Sequence, residues 1–197
     1  MREILVATRN EGKVREIRKV LKPLGLRIRS LRDFKDIPGV KEDGKSFSEN
    51  ALKKARFYAR RSGLPTISDD SGLEVDVLKG RPGIRSARYA GGKASDRDNN
   101  RKLLGEMNGI PPSRRRARFK CAIALVSPGR GEAVVEGECR GRIGFKEAGK
   151  RGFGYDPLFY LPRLKKTVSQ LTIEEKNRIS HRGKALRKLK GVLHHFL

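Results

Sequence analysis

An α/β fold built on parallel strands is the class this sequence predicts, and three observations predict it. The chain opens as strand, glycine-bearing turn, helix and second strand; short strand runs then alternate with amphipathic helical stretches; and no internal repeat occurs at any period, which removes solenoids.

Residues 3–8, EILVAT, read as a buried strand, after which RNEGK turns the chain into VREIRKVLKPL. There Val14, Ile17, Val20 and Leu21 recur at helical spacing. Gly25 stops that helix, and LRIRSL at 26–31 alternates as a second strand, completing a β-α-β unit. A loop rich in Asp, Pro, Gly and Lys covers 32–45, and Ser46 or Ser48 caps the helix through ENALKKARFYARRS. PTIS enters as a strand that ends at Asp69 and Asp70, and LEVDVL alternates as the next one. KGRPGIRSARYAGG reads as loop, Ser95 and Asp96 cap a helix reaching Met107, and GIPPSRR breaks the chain. RFKCAIALVS and EAVVEGECRG, joined by PGRG, form a hairpin of long strands. GFGYDPLFYLP reads as a further loop, and TIEEKNRI and SHRGKALRKLKGVL are helical.

A length of 197 residues fits one domain, 1–197, with ample material for a core. No apolar run approaches the roughly 18 to 20 residues of a membrane span, and MREILVAT leads into a strand pattern rather than a signal sequence. The expectation is therefore a cytoplasmic protein with no membrane partner. Cys121 and Cys139 lack metal-ligand spacing, so they read as buried thiols and not as a zinc site. A three-residue turn centred on Arg130 would set them opposite each other with neighbouring sulfurs. The 47 Lys and Arg against 22 Asp and Glu give a net charge of +25, a field that draws in nucleic acid, nucleotides or acidic surfaces.

Against that charge, the chemistry-bearing residues stand out. Thr8, Arg9, Asn10, Glu11, Gly12 and Lys13 bring backbone N–H groups, a glycine and an ammonium to a strand-to-helix turn, a ready phosphate site. Asp69 and Asp70 are adjacent on an extended strand, so just one of them points into a given cleft. A carboxylate beside phosphates suits Mg²⁺, which takes one or two carboxylates and completes its shell from the substrate; Glu42 or Asp43 supplies the second. GFGYDP at 152–157 offers aromatics and an Asp to a base, and SHRG at 180–183, preceded by Lys176, offers donors to phosphate or a carbonyl edge.

Four stretches, ILVATRNEGKVREI, ISDDSGLEVDVLKGRPGIRSARYAG, GFGYDPLF and LTIEEKNRISHRGKAL, resemble the inosine triphosphate pyrophosphatase family, the dITP/XTP pyrophosphatases, in order from residue 3 to about 190. The resemblance implies an elongated, mixed-sheet α/β fold of two lobes with the nucleotide site in the cleft between them. It implies a cytoplasmic homodimer that uses Mg²⁺ to hydrolyse deaminated purine nucleoside triphosphates to monophosphate and pyrophosphate. Carried over by motif, Thr8 to Lys13 hold phosphates, Asp70 is the acid/base carboxylate and a metal ligand, and Glu42 is the second metal carboxylate. Ser71, Phe153, Gly154, Tyr155, Asp156, Lys176, His181 and Arg182 match nucleotide-contacting positions, with Lys54 a weaker match. The chain has Glu-Asp-Gly at 42–44 where the family often has Glu-Thr-Gly, which leaves Glu42 and Asp43 both open as the ligand, and Ser68 where Ala is usual. Two rival readings remain: a basic nucleic-acid-binding protein whose Asp pair is structural, and a pyrophosphatase of modified pyrimidine nucleotides.

Overall fold

The structure is a computed structural model describing residues 2–34 and 37–197. The loop predicted over 32–45 is thus described except at Lys35 and Asp36, which lie outside the described residues. A seven-stranded mixed sheet in the order β2-β1-β3-β4-β5-β6-β7 carries the chain. β1 (Glu3–Val6) lies parallel to both β2 (Arg27–Ser30) and β3 (Thr66–Val75), whereas β6 (Phe159–Leu161) runs antiparallel to β5 (Gly131–Ile143) and to β7 (Lys166–Thr167). β4 (Arg116–Ser127) sits between β3 and β5. The mixed sheet follows from the connections: helical crossovers early in the chain, tight turns later.

The contacts divide the chain into two compact units. The first comprises Met1–Asp70, Cys121–Gly137 and His181–Leu197. Strand alternation organises it. Ile4, Val6, Ile17, Leu21, Ile67, Cys121, Ile123 and Leu125 pack with Ala185, Leu186 and Leu189, so one face of the sheet is covered by α1 (Glu11–Leu21) and α5 (His181–Val192). The opposite pleats go to α2 (Phe47–Ser62): Leu5 and Ala7 meet Tyr58, while Ala122 and Ala124 meet Ala51 and Ala55, small residues facing small residues. A Cβ on Gly137 would lie 2.1 Å from the His181 carbonyl oxygen, so glycine lets β5 pass the start of α5.

The second unit comprises Ser71–Lys120 and Glu138–Ser180, with α3 (Asp96–Glu106) and α4 (Ile173–Ile179). Its core gathers Leu73, Val75, Leu103, Met107, Phe119, Tyr155, Phe159 and Leu161 among others. Local signals set its helices: Ser95 with Asp98, and Thr172 with Glu175, form capping boxes that satisfy the first-turn N–H groups. Ser46, one of the two candidate caps, caps α2.

Three expectations need correction. The Asp pair does not end a strand: β3 runs unbroken through both carboxylates to Val75, and 76–78 is a 3-10 turn rather than strand. Acidic and Ser-Gly chemistry reads as a turn, yet each carboxylate meets cations on its own side of the sheet. The stretch read wholly as loop after Gly152 contains β6, which pairs Phe159 with Ile143 and Tyr160 with Arg142. The cysteines, expected opposite each other with neighbouring sulfurs, belong to different cores, Cys121 with Ile123 and Leu125, Cys139 with Leu73 and Phe119.

Candidate active site

Alternation along β3 decides the fates of its two aspartates. Asp69 shares a pleat with Ile67 and faces α1 and α5; Asp70 takes the other side, toward α2. Asp69 is 1% exposed. One of its oxygens accepts Arg182 Nε at 2.9 Å and the Cys121 thiol at 2.9 Å, and the other is paired with Lys13 Nζ. Burial pushes its carboxyl up, but Arg182 and then Lys13 outweigh burial and hold it well below the usual carboxylate range. The Arg182 guanidinium, 1% exposed, completes its bonds on Glu16 Oε2 at 2.6 Å. Desolvation opposes its charge, but Asp69 and Glu16 prevail and leave it more firmly protonated than usual.

Asp70 differs. It is 9% exposed, and its Oδ2 is buried with no hydrogen-bond partner. Burial, only partly offset by Lys54 and Lys13, raises its pKa above the normal aspartate value. Its Oδ1 lies 3.7 Å from Lys54 Nζ, an ammonium that also donates to Glu42 Oε2 at 3.0 Å and to the Asp69 carbonyl at 2.9 Å. Asp43 turns instead to Lys53 on the exposed side of α2. Of the two residues left open at 42–44, Glu42 is the one the structure brings to Asp70. A buried orphan carboxylate oxygen beside a second carboxylate is a hard-donor set that fits Mg²⁺. No group of three or more His, Cys, Asp or Glu able to hold a metal occurs among the described residues.

The TRNEGK turn lies at the α1 N-terminus. Asn10 is its N-cap, its side-chain oxygen accepting the Lys13 N–H at 3.0 Å, while the Asn10 N–H donates to Thr8 Oγ1 at 3.1 Å. Arg9 and Asn10 are exposed and Thr8, Glu11, Gly12 and Lys13 half-buried, so the positive end of the helix faces solvent. Ser71 follows Asp70 and is half-buried; His181 is buried as the first residue of α5.

In the second unit, Phe153, Gly154, Tyr155 and Asp156 form a tight turn closed by their own carboxylate. The Phe153 N–H donates to Asp156 Oδ2 at 3.0 Å, and Lys176 pairs with the same oxygen while its Nζ lies 4.5 Å from the Phe153 ring centroid. A Cβ on Gly152 would stand 2.2 Å from Asp156 Oδ2, and Gly152 has φ +80°, so the turn requires glycine there. Gly154 is held by Asp96 and Asn100. Tyr155, expected beside Phe153 as a ring for stacking, packs in the core and donates its hydroxyl to the Ser86 carbonyl at 2.9 Å; Phe153 is the half-buried aromatic of the pair.

Glu16 was missed. Its signal was an acid three residues after Lys13, among the basic residues Lys13, Arg15, Arg18 and Lys19 of α1, and its partner lies 166 positions away. Arg182, expected to contact nucleotide, lies between the buried carboxylates of Asp69 and Glu16.

The sequence profile of the Ham1 family matches residues 4–192. The chain is 53% identical to a dITP/XTP pyrophosphatase of Geobacillus kaustophilus over 189 residues, covering 96% of this chain and 93% of that one. It is 52% identical to a dITP/XTP pyrophosphatase of Geobacter sulfurreducens over 193 residues, covering 98% and 97%. Among solved structures, a HAM1 protein from Coxiella burnetii matches with a TM-score of 0.88 and 40% identity over 98% of this chain and 99% of the other.

Proposed function

The chain belongs to the Ham1 family, and on that premise we propose that it hydrolyses deaminated purine nucleoside triphosphates, ITP, dITP and XTP, to the monophosphate and pyrophosphate with Mg²⁺. The observation that carries this reading is the unequal Asp pair: one carboxylate neutralised by Lys13 and Arg182, the other buried with an unpartnered oxygen beside Glu42. A structural pair would have both carboxylates satisfied.

Asp70 and Glu42 would hold the Mg²⁺, which supplies neutralisation of phosphate charge and Lewis-acid polarisation. The exposed N–H groups opening α1 and the Lys13 ammonium bind phosphate oxygens, with Asp69 fixing where that ammonium stands. Asp70, with one buried oxygen free of hydrogen bonds, takes a proton from the attacking water. Lys54 balances Glu42 and Asp70. Positioning and charge neutralisation suffice for phosphoryl transfer, and no covalent nucleophile is needed. Phe153 and Lys176 belong to the nucleoside-contacting set, and the working enzyme is a cytoplasmic homodimer.

A 6-oxo purine presents an acceptor where adenine presents an amino donor, so a donor placed for the first is left unpaired by the second, which lets such sites reject the wrong base by roughly 10⁴. Pyrophosphate release from ITP, dITP, XTP, GTP, ATP and a modified pyrimidine triphosphate, with Mg²⁺ or a chelator, tests the reading. ITP, dITP and XTP are expected to turn over far faster than ATP, and chelation to stop turnover. Equal efficiency on ATP and ITP, or preference for the pyrimidine, would overturn the substrate assignment. Glu42→Gln separates metal from base: the expected result is a Mg²⁺ optimum shifted upward about tenfold with the ITP/ATP preference intact. An unchanged Mg²⁺ dependence removes Glu42 from the metal shell.

A further inference from the structure

Within the second unit, α3 carries Asn99 and Asn100 side by side in its second turn, although asparagine favours caps and turns over helix interiors. Both are buried, and both bond across to a neighbouring segment. Asn99 Oδ1 accepts the Ala90 N–H at 2.8 Å and Asn99 Nδ2 donates to the Ala87 carbonyl at 3.3 Å. Asn100 Nδ2 donates to the Gly154 carbonyl at 3.2 Å, and one turn earlier Asp96 Oδ2 accepts the Gly154 N–H at 2.6 Å. Residues 96 and 100 share a helix face by their i, i+4 spacing, so α3 holds one glycine by both of its backbone groups. Gly154 follows Phe153 and has φ +59°. Glycine has more conformational freedom to lose than any other residue, and a Cβ built there would meet no described atom within 4 Å. Hydrogen bonds, not packing, set its conformation.

We propose that Asp96 and Asn100 are positioning residues for nucleoside binding, which they serve by fixing Gly154 and, through it, the orientation of the neighbouring Phe153 ring before substrate arrives. This rests on the pyrophosphatase reading, in which Phe153 and Lys176 contact the nucleoside. The two sides of Phe153 are then held separately: its own N–H by Asp156 Oδ2 at 3.0 Å, and the glycine after it by α3. A binding loop ordered in advance lowers the entropy lost when ligand binds. Asp96 and Asn100 act through the loop and not on the reacting phosphates, so their contribution is to binding and not to the chemical step.

Steady-state kinetics on ITP, calorimetric titration with IMP and inhibition by pyrophosphate, all on the full chain, test this. Asp96→Ala leaves the Ser95–Asp98 capping box in place. It and Asn100→Ala are each expected to raise KM for ITP and Kd for IMP about tenfold, the factor that freezing one more backbone residue represents. A kcat within about twofold of the parent is expected beside it, the pattern of lost binding rather than lost chemistry. Inhibition by pyrophosphate, which has no nucleoside to stack, should keep its parental strength. Asp96→Asn keeps an acceptor oxygen and should restore the parental KM, and Arg97→Ala, an exposed neighbour on α3, should not change it. Parental KM and Kd in both Ala variants would overturn the proposal. So would an equal loss of pyrophosphate inhibition, which marks general damage to the fold, or a failure of Asp96→Asn to rescue. A parent that binds IMP without turning over ITP would overturn the hydrolytic reading alone, since the IMP titrations still decide the role of α3; a parent that binds no IMP would overturn both.

Discussion

Asp69→Asn is expected to lower stability by about 3–5 kcal/mol, the cost of removing one member of a buried ion network. For a chain of this length that is a fall in melting temperature on the order of 10 °C. The substitution keeps the shape and removes the charge, so Arg182 and Lys13 lose the anion that balances them, and the Cys121 thiol loses its charged acceptor. Arg182 cannot neutralise itself by shedding a proton. The sign of the pH dependence follows from the depressed carboxyl. Asp69 adds stability above its unfolded value near 3.8, and that contribution is lost as pH falls through the lower folded value. The parent should therefore resist acid to a lower pH than Asp69→Asn, and the two curves should converge in strong acid. Thermal melts between pH 3 and 8 measure this; a variant melting within 2–3 °C of the parent at neutral pH would remove Asp69 from the network's centre. Arg182→Ala should suffer the same kind of loss, because it strands Asp69 and Glu16 together, so its effect on substrate preference reads cleanly only beside a stability measurement.

This network marks the boundary of what the sequence makes legible. The helices were readable because their signals are local: Ser46 caps α2, Ser95 and Asp98 box α3, Thr172 and Glu175 box α4. β1 was readable because burial leaves a continuous apolar run, and β2, at the sheet edge, because apolar and basic residues alternate along it. β6 and β7, three and two residues long, have no periodicity of their own and exist through pairing with β5 and with each other. The phosphate-type turn and the Asp pair were visible as motifs, but which aspartate meets which helix depends on sheet register and on partners such as Arg182, 113 positions from Asp69. Glu16 carries no motif and takes its meaning from that long-range contact. Tyr155 shows the converse, since an aromatic next to a glycine reads the same whether its ring faces a ligand or packs in the core, as this one does.

The neighbouring substitution should behave in the opposite manner. Asp70→Asn is expected to fold as well as the parent or slightly better, and to lose roughly 10²- to 10⁴-fold in turnover, the range a positioned acid/base group supplies. Burial raises the Asp70 carboxyl, so the folded protein favours the protonated form more than the unfolded chain does. That preference contributes stability below the unfolded value near 3.8 and loses it as pH rises through the folded one, so at neutral pH the ionised group is a cost the amide lacks. Removing it also leaves Lys54 with Glu42 and the Asp69 carbonyl, enough to keep the ammonium paired. A destabilising carboxylate with one oxygen buried and unpartnered is what the proposed ligand-binding role of Asp70 calls for. The decisive measurement is therefore paired: melting temperature and ITP turnover on the same Asp70→Asn preparation, with Mg²⁺ titrated in both. Unchanged melting with lost turnover, and loss of any Mg²⁺-dependent rise in melting temperature seen in the parent, is the expected pattern. Turnover within a few-fold of the parent would transfer the proton to another group, while a melting temperature as low as that of Asp69→Asn would make Asp70 a second structural anion.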